Sequence, residues 1–181
     1  MKTPFWDKTP NEIRNYINQR IMSIDAQIPS VFSVVDHEIK YVNRRTPIRI
    51  YIPNDSHQLP IILFVHGGAW VAGSLDTHDN LARFLCSETK ALVVSVGYLN
   101  SPEGKFPLPM EQCYDALKWI SLHGNEFSAD VSRLAVVGDS AGGCMSAALC
   151  LMARDRQGPK IDHPQFLHLL GFQQQPFYRS R

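Results

Sequence analysis

With 181 residues, the chain is long enough for one domain with a sizeable apolar core. Hydrophobic residues make up 44% and charged residues 19%, and 18 Lys+Arg against 17 Asp+Glu leave a net charge of +1 with no basic block. This balance argues against nucleic acid or an anionic membrane surface as partner, and no apolar run reaches transmembrane length.

The amino-terminal residues Met1 to Asp7 lack the apolar core of a signal peptide. Cys86, Cys113, Cys144 and Cys150 have no CxxC spacing and read as reduced thiols of a cytoplasmic protein. No His/Cys/Asp cluster has ligand spacing, so neither a metal nor a cofactor is expected.

In chain order, Thr9-Pro10-Asn11-Glu12 is a capping box with proline at the first helical position. Ile13, Tyr16, Ile17, Ile21 and Ile24 then give one helix face an apolar stripe, and Pro29-Ser30 ends the helix. Ser33 to Asn43 and Ile48 to Ile52 read as strands of an edge hairpin. Ile61 to Val65 is a continuous apolar run, as a parallel strand buried on both faces requires. Thr77 is placed to cap a helix reaching about Lys90, and Asp76, His78 and Asp79 are explained by charge at its amino end. A buried strand over Ala91 to Tyr98, a proline-rich loop over Asn100 to Pro109 and a helix from about Met110 to His123 follow. Asn125 to Ser132 reads as a loop, Leu134 to Val137 as the next buried strand, and Ala141 to Arg154 as a helix. Strands alternating with helices imply parallel βαβ units, hence an α/β fold with helices on both faces of a mostly parallel sheet.

Two motifs follow buried strands. Gly138-Asp139-Ser140-Ala141-Gly142 is G-x-S-x-G, the nucleophile elbow. Glycines two before and two after Ser140 leave room for a sharp strand-to-helix turn, and the helix amino end favours negative charge there. His66-Gly67-Gly68-Ala69-Trp70 follows the first buried strand. An acyl-transfer site needs backbone N–H donors aimed at the oxyanion, and Gly67, Gly68 and Ala141 are the candidates. A β-branched residue at Gly68 is expected to impair ester cleavage more than folding. His66 and Asp139 read as residues supporting these motifs; for His66, bracing the turn is preferred to acting as a base.

Together, H-G-G-A-W-V-A-G at His66 to Gly73 and G-D-S-A-G-G at Gly138 to Gly143 resemble the hormone-sensitive-lipase-like (family IV) esterases of the α/β-hydrolase fold. Tyr98-Leu99-Asn100-Ser101-Pro102-Glu103 is similar to that family's Y-R-L-A-P-E segment, and Phe106-Pro107 and Asp115-Ala116 also fall in place. The resemblance covers about Trp6 to Ile161, with Ala69 in place of a third glycine and Leu99-Asn100-Ser101 in place of R-L-A. It implies a carboxylic-ester hydrolase acting through an acyl-Ser140 intermediate on a small-molecule ester. It also makes residues 1–30 a candidate cap helix over the site, although docking onto the core is the alternative.

In that family the acid and the histidine follow the serine, but 41 residues follow Ser140 and no acid loop or histidine loop is recognisable among them. Asp155, His163 and His168 are expected to lie away from Ser140. The expected organisation is a partial hydrolase domain over 1–161 and a divergent tail over 162–181, truncated on the carboxyl side. Removing the histidine of a serine triad costs about a million-fold in turnover. The chain alone is therefore expected to be nearly inactive. The competing readings are a hydrolase fold that binds an apolar ligand without turning it over, and a non-functional gene fragment. Phe166 to Leu170 is expected to pair in parallel beside Leu134 to Val137, leaving an uncovered sheet edge open to self-association.

Overall fold

The computed structural model describes residues 7–23, 28–41 and 43–167, the last five as backbone. The elements are α1 (Pro10–Met22), β1 (Ser33–Tyr41), β2 (Arg44–Ile52), β3 (Leu59–Val65), α2 (Asp79–Thr89), β4 (Leu92–Val96), α3 (Leu108–His123), β5 (Ala129–Asp139), α4 (Ala141–Asp155) and β6 (His163–Leu167), with a 3-10 turn over Gly124–Phe127. They build a six-stranded sheet in the order β1-β2-β4-β3-β5-β6. The β1–β2 hairpin joins β4 antiparallel, whereas β4, β3, β5 and β6 run parallel. This is the α/β-hydrolase arrangement.

Alternation along the strands sorts the core into two layers. Ile61, Leu63, Val65, Leu92, Val94, Leu134 and Val136 pack with Cys113, Leu117 and Ile120 of α3 and Met145 and Leu149 of α4. Ile62, Phe64, Val93 and Val137 pack on the other face with Ala82 and Cys86 of α2. Helices thus cover both faces, and the parallel strands β3, β4 and β5 read as unbroken apolar runs for that reason.

Several expectations shift. The Asn125–Ser132 segment is not a loop: after the 3-10 turn, β5 begins at Ala129 and pairs with Leu59, with a register shift before Ile61. The polar residues Asp130, Ser132 and Arg133 hide this early start of the strand. The strand beside β5 pairs in parallel as expected but begins at His163, three residues before Phe166; its described residues His163–Leu167 pair with Ala135–Asp139, and 168–170 lie outside the described residues. The Asp162 amide already donates to Leu134 O at 2.9 Å and opens the ladder there. Pro164 falls within β6, and a strand that is outermost among the described residues tolerates proline. His168 and the tail from 168 to 181 lie outside the described residues.

α1 has its capping box in place, with Thr9 accepting from the Glu12 amide. Its stripe of Ile13, Ile17 and Ile21 is only half-buried, and no residue of the helix is fully buried.

Candidate active site

The elbow forms where β5 ends and α4 begins. Ser140 sits between them at φ 50 and ψ −118, a conformation that side chains other than glycine's rarely adopt. It is held there by close packing on both sides. A Cβ at Gly138 would run into Gly142 O and come 2.7 Å from Ser146 Oγ. A Cβ at Gly142 would run into Val65 O, at the end of β3. Ser146 Oγ donates to Gly142 O at 2.8 Å and closes the first turn of α4. Ser140 is half-exposed, and its hydroxyl makes no hydrogen bond among the described residues.

Val65 is in register with Gly138, so the glycine loop leaves β3 directly beside the elbow. Here the Gly67 amide differs from expectation. It donates to Asp139 Oδ1 at 2.8 Å and is therefore taken up by the protein itself. The approach is so close that a Cβ at Gly67 would overlap the Asp139 carboxylate. The backbone then turns through three positive φ values in succession, 125° at Gly68, 53° at Ala69 and 60° at Trp70. Gly68 O accepts from the Val71 amide at 3.1 Å and the Ala72 amide at 2.9 Å. Among the described residues, no group accepts from the amides of Gly68, Ala69 or Ala141. Ala69 was missed in the sequence because a residue with a Cβ gives no sign that it will take a left-handed conformation.

Under the loop lies a buried group of rings. His66 is fully buried and stacks on Tyr98 at 4.2 Å between centroids and on His78 at 5.2 Å. Its Nδ1 lies 2.8 Å from Gly67 O, which can only accept, so the ring proton is on Nδ1. Nε2 has no partner among the described residues. Burial, then the charge of His78, push the His66 pKa down to about 4, against weaker opposing effects of Gly67 O and Asp139. Tyr98 donates its hydroxyl proton to His66 O at 2.7 Å.

His78 also differs from expectation. Rather than merely standing at the amino end of α2, it packs inward, with Nε2 3.5 Å from Asp139 Oδ2 and Nδ1 3.0 Å from Thr77 Oγ1. Burial raises the Asp139 pKa, but the bond and charge of His78, the Gly67 amide and His66 outweigh it and hold the carboxyl below its ordinary range. Asp76 and Asp79 belong to a separate network. Arg49 donates to Asp36 at 2.6 Å, Asp76 at 3.0 Å and Asp79 at 3.4 Å, and Asp79 also accepts from Tyr51 at 2.8 Å.

Asp155 closes the far end of α4 beside Arg154, and His163 opens β6 opposite Ala135, four residues before the elbow end of the sheet. Neither is brought to Ser140.

The α/β-hydrolase fold family matches residues 62–173, more than half of the chain. Esterase LipI of Mycobacterium tuberculosis is 38% identical over 149 residues, which cover 80% of this chain and 47% of the relative. The arylesterase of Saccharolobus solfataricus is 36% identical over 146 residues, 81% of this chain and 47% of the relative. Among solved structures, the Pyrobaculum calidifontis esterase superposes with a TM-score of 0.84 at 33% identity, covering 91% of this chain and 54% of that one. The thermostable carboxylesterase EstE1, cloned from a metagenomic library, gives 0.83 at 32% identity, covering 90% and 56%. The chain spans about half the length of the curated relatives it matches. It belongs to the α/β-hydrolase fold family, among the hormone-sensitive-lipase-like esterases.

Proposed function

We propose that this chain provides the nucleophile and the oxyanion donors of a carboxylic-ester hydrolase, with Ser140 attacking the ester carbonyl to form an acyl-serine. The observation that carries this reading is the strained Ser140 backbone, φ 50, presented between a strand end and a helix amino terminus by two glycines that admit no Cβ. The donors in this reading are the amides of Gly68, Ala69 and Ala141; the bond of the Gly67 amide to Asp139 argues against Gly67 as a donor. A helix amino end beside the serine favours the negative charge that develops on the carbonyl oxygen.

The substrate is a small-molecule ester, by similarity to relatives named as esterases. The Ser140 hydroxyl has no base beside it among the described residues, which supports weak turnover by this chain alone. The same observation favours the second reading, a hydrolase fold that holds an apolar ligand without turning it over. The test is labelling by a fluorophosphonate probe with Ser140→Ala as control. Slow labelling confined to Ser140 supports the nucleophile role. Fast labelling points to a base that this reading lacks, and labelling elsewhere removes Ser140 from it.

The four free cysteines, two of them fully buried, fit a reducing cytoplasmic setting. Among the described residues no helix is long and apolar enough to cross a membrane. Among the described residues, the outermost strand β6 has a neighbour on one side only, and we propose self-association along that edge. Light scattering after size-exclusion chromatography checks it, and a monodisperse monomer would overturn it.

A further inference from the structure

We propose that Arg14 and Asn18 of α1 are positioning residues that hold the oxyanion loop in shape. This inference rests on the reading of Gly68 and Ala69 as donors. The loop is strained: Gly68, Ala69, Trp70 and Gly73 all have positive φ, and only two of them are glycines. A conformation of that kind persists only where its surroundings over-determine it. The elbow anchors the front of the loop through Gly67 and Asp139, and residues 70–73 are bonded from other segments.

Four hydrogen bonds do this. Ser101 N donates to Trp70 O at 2.8 Å, and Asn100 Nδ2 donates to Gly73 O at 2.9 Å. The other two come from α1. Arg14 Nε donates to Val71 O at 2.7 Å, and Gly73 N donates to Asn18 Oδ1 at 2.9 Å. One turn of helix separates positions 14 and 18, so both side chains leave the same face. Arg14 also ties the two supporting segments together: its Nη2 donates to Ser101 O at 2.9 Å and to Glu103 Oε2 at 2.6 Å.

Among the described residues, the other hydrogen bonds from α1 to the rest of the domain go to Ser101 and Glu103. α1 buries no residue, and Arg14 and Asn18 line an open cleft of about 590 Å³ together with Gly73 and Tyr98. The helix is thus joined to the domain mainly by polar bonds to the loop, and those bonds are lost without disturbing the apolar core. Removing them should loosen the loop while leaving global stability close to that of the wild type.

The experiment compares Arg14→Ala, Asn18→Leu and Asn18→Asp with the wild-type chain by amide hydrogen exchange over residues 68–76, urea unfolding and the rate of fluorophosphonate labelling. Asn18→Leu keeps the size and loses the acceptor for Gly73 N, whereas Asn18→Asp keeps the acceptor. Arg14→Ala and Asn18→Leu are expected to speed exchange at Gly73 about five- to tenfold and to slow labelling of Ser140 several-fold, with the urea midpoint nearly unchanged. Asn18→Asp is expected to match the wild type in both. Unchanged exchange, equal effects of Asn18→Leu and Asn18→Asp, or faster exchange with unaltered labelling would each overturn the proposal. If wild-type Ser140 takes no label at all, the nucleophile reading fails, and the exchange rates alone decide whether α1 holds the loop.

Discussion

Gly67 and Asp139 stand 72 positions apart in the chain and are joined by one hydrogen bond of 2.8 Å, from the glycine amide to the carboxylate. That bond fastens the glycine loop to the strand that carries Ser140, so the proposed donors and the proposed nucleophile are set relative to each other by a residue given neither role. His78 occupies the second carboxylate oxygen at 3.5 Å, and the group is almost wholly buried.

Asp139→Ala therefore leaves a buried N–H without a partner. Such a loss costs about 1–3 kcal/mol. Asp139→Asn retains an oxygen for the Gly67 amide and should lose less than half as much in urea unfolding. Equal losses for the two variants would mean that the bond to Gly67 contributes nothing.

Ser140→Gly should raise stability by about 1 kcal/mol, since glycine adopts φ 50, ψ −118 without the steric cost borne by serine. The same variant should lose all fluorophosphonate labelling. A chain whose nucleophile is held under strain gains stability when it gives that nucleophile up. A lower urea midpoint for Ser140→Gly would contradict this account of the elbow.

Gly68 carries more structural weight than its place in the motif suggests. The sequence led us to expect that a β-branched residue there affects ester cleavage more than folding. With φ +125 and a Cβ that would run into Ala72 O, any side chain at this position must distort the loop. Gly68→Ala should destabilise by about 1–3 kcal/mol, and Gly142→Ala, whose Cβ would meet Val65 O, should do the same. Thermal unfolding checks both, and a wild-type midpoint for either would show that the backbone moves aside freely.

The features readable from sequence were those encoded within a few residues. The elbow is one pentapeptide between an apolar run and a helix, and β3 and β4 announce themselves as unbroken apolar stretches, so sheet, layers and the place of Ser140 at the strand-to-helix turn follow. What escaped depends on partners far apart in the chain. The Gly67 amide was assigned to an oxyanion because nothing near it in sequence reveals Asp139. His78 was explained by the helix it precedes, although it packs on Asp139 instead. Ala69 adopts a positive φ in a loop whose following residues are bonded to Arg14 and Asn18, more than 50 positions earlier in the chain. The start of β5 at Ala129 was concealed by polar residues on a strand segment near the sheet's end.

The last prediction concerns acid. His66 has an ordinary pKa of 6.5 when unfolded, and in the folded chain burial, followed by the neighbouring His78, lowers it to about 4. Between those values the unfolded chain holds a proton that the folded chain does not. Stability therefore rises with pH across this window and falls as pH drops from about 6.5 toward 4. Above it neither state is protonated at His66, and below it both are, so the group makes no further difference. The full loss is about 3 kcal/mol, of which about 2 kcal/mol should be gone by pH 5. Asp139 acts lower: its depressed pKa contributes stability that is lost only as pH falls below the usual carboxylate value near about 3.9. Urea unfolding at pH 7.5 and pH 5 separates the two. The wild-type chain should weaken between them, and His66→Gln, which cannot take the proton, should weaken by less than half as much whatever its stability at pH 7.5. Parallel losses in the two proteins would show that His66 titrates alike folded and unfolded, and that the buried ring beneath the loop is not the source of acid sensitivity.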